Sequence, residues 1–158
     1  MKQMVGLKNY GSRMIRYEYG IPFGWILESD WDFAHLVAPA DLPSEYNSLI
    51  DAGINYHCYD IDPKYKSYPK YTICDPIFDP VELGQTIVNF NAHKMYPIGK
   101  VHKGEFIIVG SDDEHNGNCN IIRSCDQLIE QNLLHTVFKK EIFRTNRCNY
   151  YFVWGNND

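Results

Sequence analysis

Apolar residues recur along the chain in two periods, one typical of helices and one typical of strands. The clearest helical period falls over residues 41–53, where Pro43 lies in the first turn and Gly53 supplies a C-terminal stop. Residues 54–61 then alternate between apolar and polar side chains, which predicts a strand directly after this helix. The apolar stripe of the helix consists of Leu42, Tyr46, Leu49 and Ile50.

The rest of the chain adds short elements of both kinds. Ser124 is a good helix cap, and Gln127 stands where it can return the capping bond, so a helix is predicted after Ser124. Residues 105–110 include four apolar side chains in a row, which is typical of a strand buried on both faces. Further helices are predicted over residues 30–37 and 79–91. Further strands are predicted over residues 13–27, 95–100, 120–124, 136–143 and 150–154. A loop is predicted over residues 62–71, with a short edge strand after it.

Together these elements predict a single α+β domain over residues 1–158. About three helices would pack on one side of a mostly antiparallel sheet. A chain of 158 residues has the usual length of one domain, and no stretch rich in glycine or proline marks a linker.

Composition narrows the class of protein. Hydrophobic residues make up 44% and charged residues 22% of the chain, which excludes a disordered, collagen-like or coiled-coil protein. The longest apolar runs hold four or five residues, too few to span a bilayer, and the start lacks the apolar stretch of a signal peptide. We therefore expect a cytoplasmic protein with no membrane partner.

Charge is distributed unevenly. No Lys or Arg lies between Arg16 and Lys64, and that stretch holds nine carboxylates, so a nucleic-acid backbone is not the expected partner. An acidic surface would attract a basic protein, with Trp31 or Tyr56 as an aromatic anchor. A solvated acidic face without a partner is the alternative. The residues predicted to bind the partner are Asp30, Trp31, Asp32, Asp41, Glu45, Asp51, Tyr56, Asp60 and Asp62.

Catalytic and metal-binding motifs are weak. The five cysteines form no C-x-x-C pair, and the spacing of His115, Cys119 and Cys125 does not provide the four ligands of a structural zinc site. His57 and Cys58 are adjacent, but neighbours on a strand point to opposite faces, so the histidine does not readily activate the thiol. No catalytic residue, metal or cofactor is therefore predicted. A small hydrolase or transferase with a Cys/His/carboxylate site is the alternative.

Two parts of the chain carry a resemblance to a known family. The segment Leu42-Pro43-Ser44-Glu45-Tyr46, followed by Gly53 and a strand, resembles the Leu-Pro-x-x-Tyr helix start of the SUKH superfamily. Tyr96-Pro97-Ile98-Gly99 and the strand before a polar glycine turn at Gly117 resemble the later strand pair of that family. The resemblance covers roughly residues 41–124.

The resemblance implies a function. SUKH-like proteins are α+β domains, and many bacterial members are immunity proteins that block a cognate toxin, often a nuclease. By this resemblance the chain would be a non-enzymatic protein that binds and neutralises a basic toxin, without catalytic residues. A homodimer built through an exposed strand edge is a further alternative.

Overall fold

The computed structural model describes residues 24–26, 28–29, 33–39, 53–79, 82–83, 86–115 and 117–158. Seven strands and one helix account for most of its regular structure. The helix is α1 (Cys125–Gln131), and the strands are β1 (Phe33–Val37), β2 (Asn55–Asp60), β3 (Tyr71–Ile73), β4 (Thr86–Asn89), β5 (Glu105–Ser111), β6 (Thr136–Arg144) and β7 (Asn149–Asn156). Short 3₁₀ turns lie at Pro63–Tyr65, Ala92–Lys94 and Ile98–Lys100.

All seven strands form one sheet in the order β3-β2-β1-β4-β5-β7-β6. The first five strands in this order run parallel, and β7 is antiparallel to both β5 and β6. In the middle of the sheet Leu36 lies opposite Cys58 on one side and Val88 on the other. The prediction of a mostly antiparallel sheet is therefore wrong. Parallel neighbours are joined by long crossovers, and two strands of this parallel arrangement, β1 and β4, lie in regions that were predicted as helices.

The sheet is buried on both faces. One core contains Leu36, Cys58 and Phe152 together with the helical residues Trp25 and Ile26. The opposite core contains Val37, Ile87, Phe106 and Val153, and Cys125 and Leu128 of α1 pack into it. Helical residues therefore cover both faces, and the prediction that the helices lie on one side is wrong.

Four predicted elements have a different structure. Residues 33–37 form β1 and residues 86–89 form β4, although both regions were predicted as helices. All four residues of β4 are buried, so its side chains lack the polar–apolar alternation by which a strand is recognised. Residues 98–100 form a 3₁₀ turn. Residues 121–124 form no strand, although the backbone nitrogen of Ile122 donates a 2.9 Å hydrogen bond to the carbonyl of Ser111 at the end of β5.

Several other predictions are confirmed. β2, β5, β6 and β7 lie where strands were expected, and β3 is the short strand after the lysine- and tyrosine-rich loop. Ser124 caps α1, and its side-chain oxygen accepts a 3.0 Å hydrogen bond from the backbone nitrogen of Gln127. The predicted helix over residues 41–53 and most of the predicted strand over 13–27 lie outside the described residues.

Hydrogen bonds join the loops at the carboxyl end of the parallel strands. The backbone nitrogen of Asn120, in the loop after β5, donates to the carbonyl of His93, in the turn after β4, at 3.0 Å. Asp112 accepts bonds from the backbone and side chain of Asn149 at 2.7 and 2.8 Å, and from the Tyr151 hydroxyl at 3.1 Å. These bonds fix the loops after β4 and β5 beside the end of the sheet.

A second network fixes the segment that follows. The buried Asn157 side chain donates to the carbonyls of Gly99 and His102 at 2.8 and 2.9 Å, and accepts from the backbone nitrogen of Gly104 at 2.9 Å. Asn132 accepts from the backbone nitrogen of Gly99 at 2.9 Å. A side chain at Gly99 would collide with the Asn132 backbone, so glycine is needed there for close approach.

Strand β6 is one edge of the sheet, and eight of its nine residues are exposed. A homodimer through an exposed strand edge stays a prediction, and β6 is the edge where it would form. Among the described residues, no helix is both long enough and apolar enough to cross a membrane.

Candidate functional site

A cavity of about 470 Å³ opens at the carboxyl end of the parallel strands. Val37 and Ala38 line it from the end of β1, and Tyr59 and Asp60 from the end of β2. The segments after β3 and β4 close its sides, and Cys119 contributes from the loop after β5. The cavity therefore collects residues from five consecutive connections of the chain.

The strand order explains why a cavity forms there. From β1 the chain moves outward to β2 and β3, and then crosses back to place β4 on the other side of β1. The connections after β1 and β4 therefore diverge and leave a crevice between them. In open α/β sheets, ligands bind outside the carboxyl ends of the strands at this switch point.

Three carboxylates form one wall of the cavity. Asp60 ends β2, Asp62 follows two residues later, and Asp75 follows β3. In each of them Oδ1 accepts a 3.0 Å hydrogen bond from a backbone nitrogen two residues further along the chain. Within the described part of the chain, no hydrogen bond reaches the second oxygen of any of the three. Each side chain thus stabilises its own turn and keeps one carboxylate oxygen as a hydrogen-bond acceptor for a ligand.

The turn after β1 has a conformation unusual for its sequence. Ala38 has a φ of 51°, in the left-handed region that favours glycine. Its carbonyl accepts a 2.6 Å hydrogen bond from the side chain of Asn91, and its nitrogen donates to the Tyr59 carbonyl at 2.8 Å. Neighbouring connections therefore hold this turn in place. In dinucleotide-binding folds the corresponding turn is glycine-rich, but this chain has no glycine between Val37 and Gly53.

A second part of the lining, called here the apolar wall, is basic and apolar. Lys94, Met95 and Tyr96 follow β4, and Ile77 and Phe78 follow β3. The Lys100 ammonium lies 5.5 Å from the centre of the Tyr96 ring, a cation–π contact at the edge of this wall. Among the described residues, no carboxylate forms an ion pair with Lys94. The two sides of the cavity therefore differ in charge.

A row of polar side chains lies on one face of β1, β2 and β3, beside the cavity. His35 Nδ1 lies 3.3 Å from the Tyr59 hydroxyl, and His57 Nε2 lies 2.6 Å from Thr72 Oγ1. Burial, followed by the charges of His57 and His102, lowers the pKa of His35 to about 4. Burial also raises the pKa of Tyr59, so its phenol stays protonated near neutral pH. His35 and Tyr59 are therefore uncharged hydrogen-bonding groups near neutral pH, and Tyr59 also lines the cavity.

His102 holds the segment that carries the apolar wall. Its Nε2 donates a 2.6 Å hydrogen bond to the carbonyl of Pro76, in the turn between β3 and Phe78. The Asn157 network fixes His102 in turn through its own carbonyl. Residues far apart in sequence therefore hold this wall in place.

The predicted partner-binding residues are only partly described. Asp60 and Asp62 line the cavity, and Tyr56 is buried in the core with 5% of its surface exposed, its ring covered by Lys70. The other six residues lie outside the described part of the chain: Asp30, Trp31, Asp32, Asp41, Glu45 and Asp51.

The Cys/His arrangement considered from sequence does not form a nucleophilic site. Cys58 is fully buried in the core, and burial raises the pKa of its thiol to about 12. His57 lies on the other face of β2, as the strand alternation predicted. The described residues also contain no group of three or more His, Cys, Asp or Glu side chains that could hold a metal ion.

Sequence reasoning missed half of this site. It named Asp60 and Asp62 but assigned them to a protein interface, and it did not single out Asn91 or Lys94. The available signal was the order of elements, since a polar side chain stands at the end of β2 and two residues after β3 and β4. That signal was hidden because β1 and β4 were predicted as helices.

Comparison with known proteins identifies the fold. No family model matches the chain, and no curated protein matches it. A methyltransferase from Aquifex aeolicus that depends on S-adenosylmethionine (SAM) matches with a TM-score of 0.55 and 9% identity, over 98% of this chain and 99% of its own. Magnesium protoporphyrin IX methyltransferase from Synechocystis PCC 6803, with bound SAM, matches with a TM-score of 0.55 and 9% identity, over 94% and 86%.

A third structure agrees. The 1,6-didemethyltoxoflavin-N1-methyltransferase from Burkholderia thailandensis, with bound 1,6-didemethyltoxoflavin and S-adenosylhomocysteine, matches with a TM-score of 0.53 and 12% identity, over 78% of this chain and 70% of its own. At such low identity these likenesses establish the fold alone. The chain has the fold of SAM-dependent methyltransferases.

This finding corrects the functional prediction. The matched structures are methyltransferases, so the prediction of a non-enzymatic immunity protein that inhibits a toxin is wrong, and so is the prediction that the chain is not an enzyme. The transferase alternative agrees better with the fold. The SUKH resemblance stays a prediction, because residues 41–52, which carry its first motif, lie outside the described residues.

Proposed function

We propose that the chain binds SAM in the cavity at the carboxyl end of the sheet and transfers its methyl group to a second substrate. The observation that carries the proposal is the position of Asp60, which ends β2 inside this cavity and has one carboxylate oxygen available. An acidic residue at this place in a nucleotide-binding sheet accepts hydrogen bonds from ribose hydroxyls. The matched structures supply the cofactor class.

The residues present suit such a cofactor. Asp60, Asp62 and Asp75 favour a ligand with a positive centre, and SAM carries one on its sulfonium sulfur. Ile61 and Ile77 give apolar surface for a planar base. The turn at Ala38 departs from the usual glycine-rich form, but its left-handed conformation provides the same backbone geometry that glycine provides elsewhere.

The roles of the residues follow from their positions. When bound, SAM supplies a methyl group whose bond to sulfur breaks, leaving its electron pair on sulfur, as an acceptor atom forms the new bond to the methyl carbon. Asp60 orients the ribose, and Asn91 keeps the turn after β1 in place. An acceptor that covers the exposed side chains of Phe78 and Tyr96 would keep water from the reacting methyl group, which limits competing hydrolysis.

Thermal unfolding tests the proposal. SAM or S-adenosylhomocysteine at about 100 times its dissociation constant should stabilise the chain by about 2.7 kcal/mol and raise its melting temperature by about 5–10 °C. ATP is the control, because it has the same nucleoside but a charge that the three carboxylates repel. An equal shift with ATP, or no shift with either S-adenosyl compound at millimolar concentration, would contradict the proposal.

A further inference from the structure

Exposed apolar side chains form a rim around the cavity. Ile61, Phe78 and Tyr96 all line the cavity, yet 65%, 80% and 50% of their surfaces are exposed. Large apolar side chains exposed together beside a cavity mark a site that a ligand covers. Two of the three are aromatic, and their rings suit a planar partner.

The charges of the lining come from different segments of the chain. Asp60, Asp62 and Asp75 come from the ends of β2 and β3, whereas Lys94 and Tyr96 come from the segment after β4. Lys94 is exposed and lies between the buried His93 and the cavity residue Met95. Its ammonium has no ion-pair partner among the described residues, so it can receive an anion. The segment after β4 thus adds a positive charge and an exposed aromatic ring to a cavity whose lining also holds three carboxylates.

From this division we infer that the methyl acceptor is a planar aromatic carboxylate, which stacks on the exposed rings of Phe78 and Tyr96 and places its carboxylate against Lys94. The inference rests on the proposed function, because it assigns the acidic side of the cavity to SAM. The positive side is then left for a second, anionic substrate. Lys100 strengthens this assignment, since its contact with the Tyr96 ring adds positive charge beside the same surface.

The test uses three naphthalene probes of equal shape. We would titrate 2-naphthoate, neutral 2-naphthamide and cationic 2-naphthylmethylamine into the whole chain saturated with S-adenosylhomocysteine, by NMR. The carboxylate should bind about fivefold more tightly than the amide, and the ammonium most weakly, as an exposed ion pair allows. Equal affinities, or tightest binding of the ammonium, would overturn the inference.

Matched variants locate the binding surface. Lys94→Met keeps the apolar stem and should remove the preference for the carboxylate over the amide. Phe78→Ala and Tyr96→Ala should weaken both probes about three- to tenfold. The controls are Lys140→Met and Phe138→Ala on β6, outside the cavity. The exposed fraction of Phe138, 49%, is nearly equal to that of Tyr96. Equal loss of affinity in the β6 variants would overturn the inference.

The design separates this inference from the proposed function. Binding of S-adenosylhomocysteine to the same samples is measured first, by calorimetry. If that compound does not bind, the proposed function fails, and the probe series is run on the free chain and judged by the same variants. If it binds equally to the wild type, Phe78→Ala, Tyr96→Ala and Lys94→Met while the probes show no preference, only the inference about the acceptor fails.

Discussion

Replacing Asp60 by asparagine is expected to weaken the binding of S-adenosylhomocysteine by about 10- to 100-fold, because hydrogen bonds to a charged group contribute about 1.5–3 kcal/mol. Asparagine keeps the side-chain oxygen that accepts from the backbone nitrogen of Asp62, so the turn after β2 is retained. The loss therefore measures the carboxylate charge and its second oxygen. Isothermal titration calorimetry gives the two dissociation constants.

The control for this variant is Asp126→Asn. Asp126 lies on α1, outside the cavity, and its side chain is 85% exposed. The Asp126→Asn variant removes the same negative charge from the protein as Asp60→Asn does, so it reports any long-range effect of net charge on binding. An unchanged affinity in Asp60→Asn, at a melting temperature equal to that of the wild type, would show that Asp60 does not contact the cofactor.

The second prediction concerns acid stability. His93 is 5% exposed, and its Nδ1 has no hydrogen-bond partner within the described residues. Burial, together with the charge of Lys94 and against the opposing charge of Asp113, lowers the pKa of His93 to about 4 from 6.5. The unfolded chain therefore binds this proton more readily. The contribution of this residue to stability should be constant above pH 7 and should fall by about 3 kcal/mol as the pH drops from about 6.5 to 4.

Urea unfolding at pH 7 and pH 4 measures this contribution. His93→Leu removes the titrating group, so the difference between the two pH values should shrink by about 3 kcal/mol relative to the wild type. His93→Asn serves as a second variant if leucine destabilises the fold. His115→Gln, in the exposed loop after β5, is the control and should keep the wild-type difference. A wild-type pH dependence in both His93 variants would contradict the predicted burial of a neutral imidazole.

Much of the sheet could be predicted from sequence where a strand has one exposed side. β2 alternates along its length, and β6 and β7 follow each other closely enough to form an antiparallel pair. β4 could not be recognised in this way, because parallel strands in the centre of a sheet are covered on both faces and all four of its residues are buried. The direction of such strands also depends on crossovers of more than ten residues, which local patterns do not report.

The candidate site could be predicted only in part, for a related reason. Asp60 was noticed as one acidic residue among nine, but its role depends on which strand lies next to β2. Asn91 reaches the Ala38 carbonyl across 53 residues of sequence, and His102 reaches Pro76 across 26. Contacts of this length arise from strand order, so the cavity becomes visible only when β1 and β4 are known to be neighbours.

The most direct test of the central claim is an experimental structure of the chain with S-adenosylhomocysteine. We expect one molecule in the cavity, with its ribose hydroxyls about 2.5–2.7 Å from the Asp60 carboxylate and its base near Ile61 and Ile77. A ligand bound elsewhere on the chain, or an empty cavity at saturating concentration, would contradict the assignment of this cavity to the cofactor.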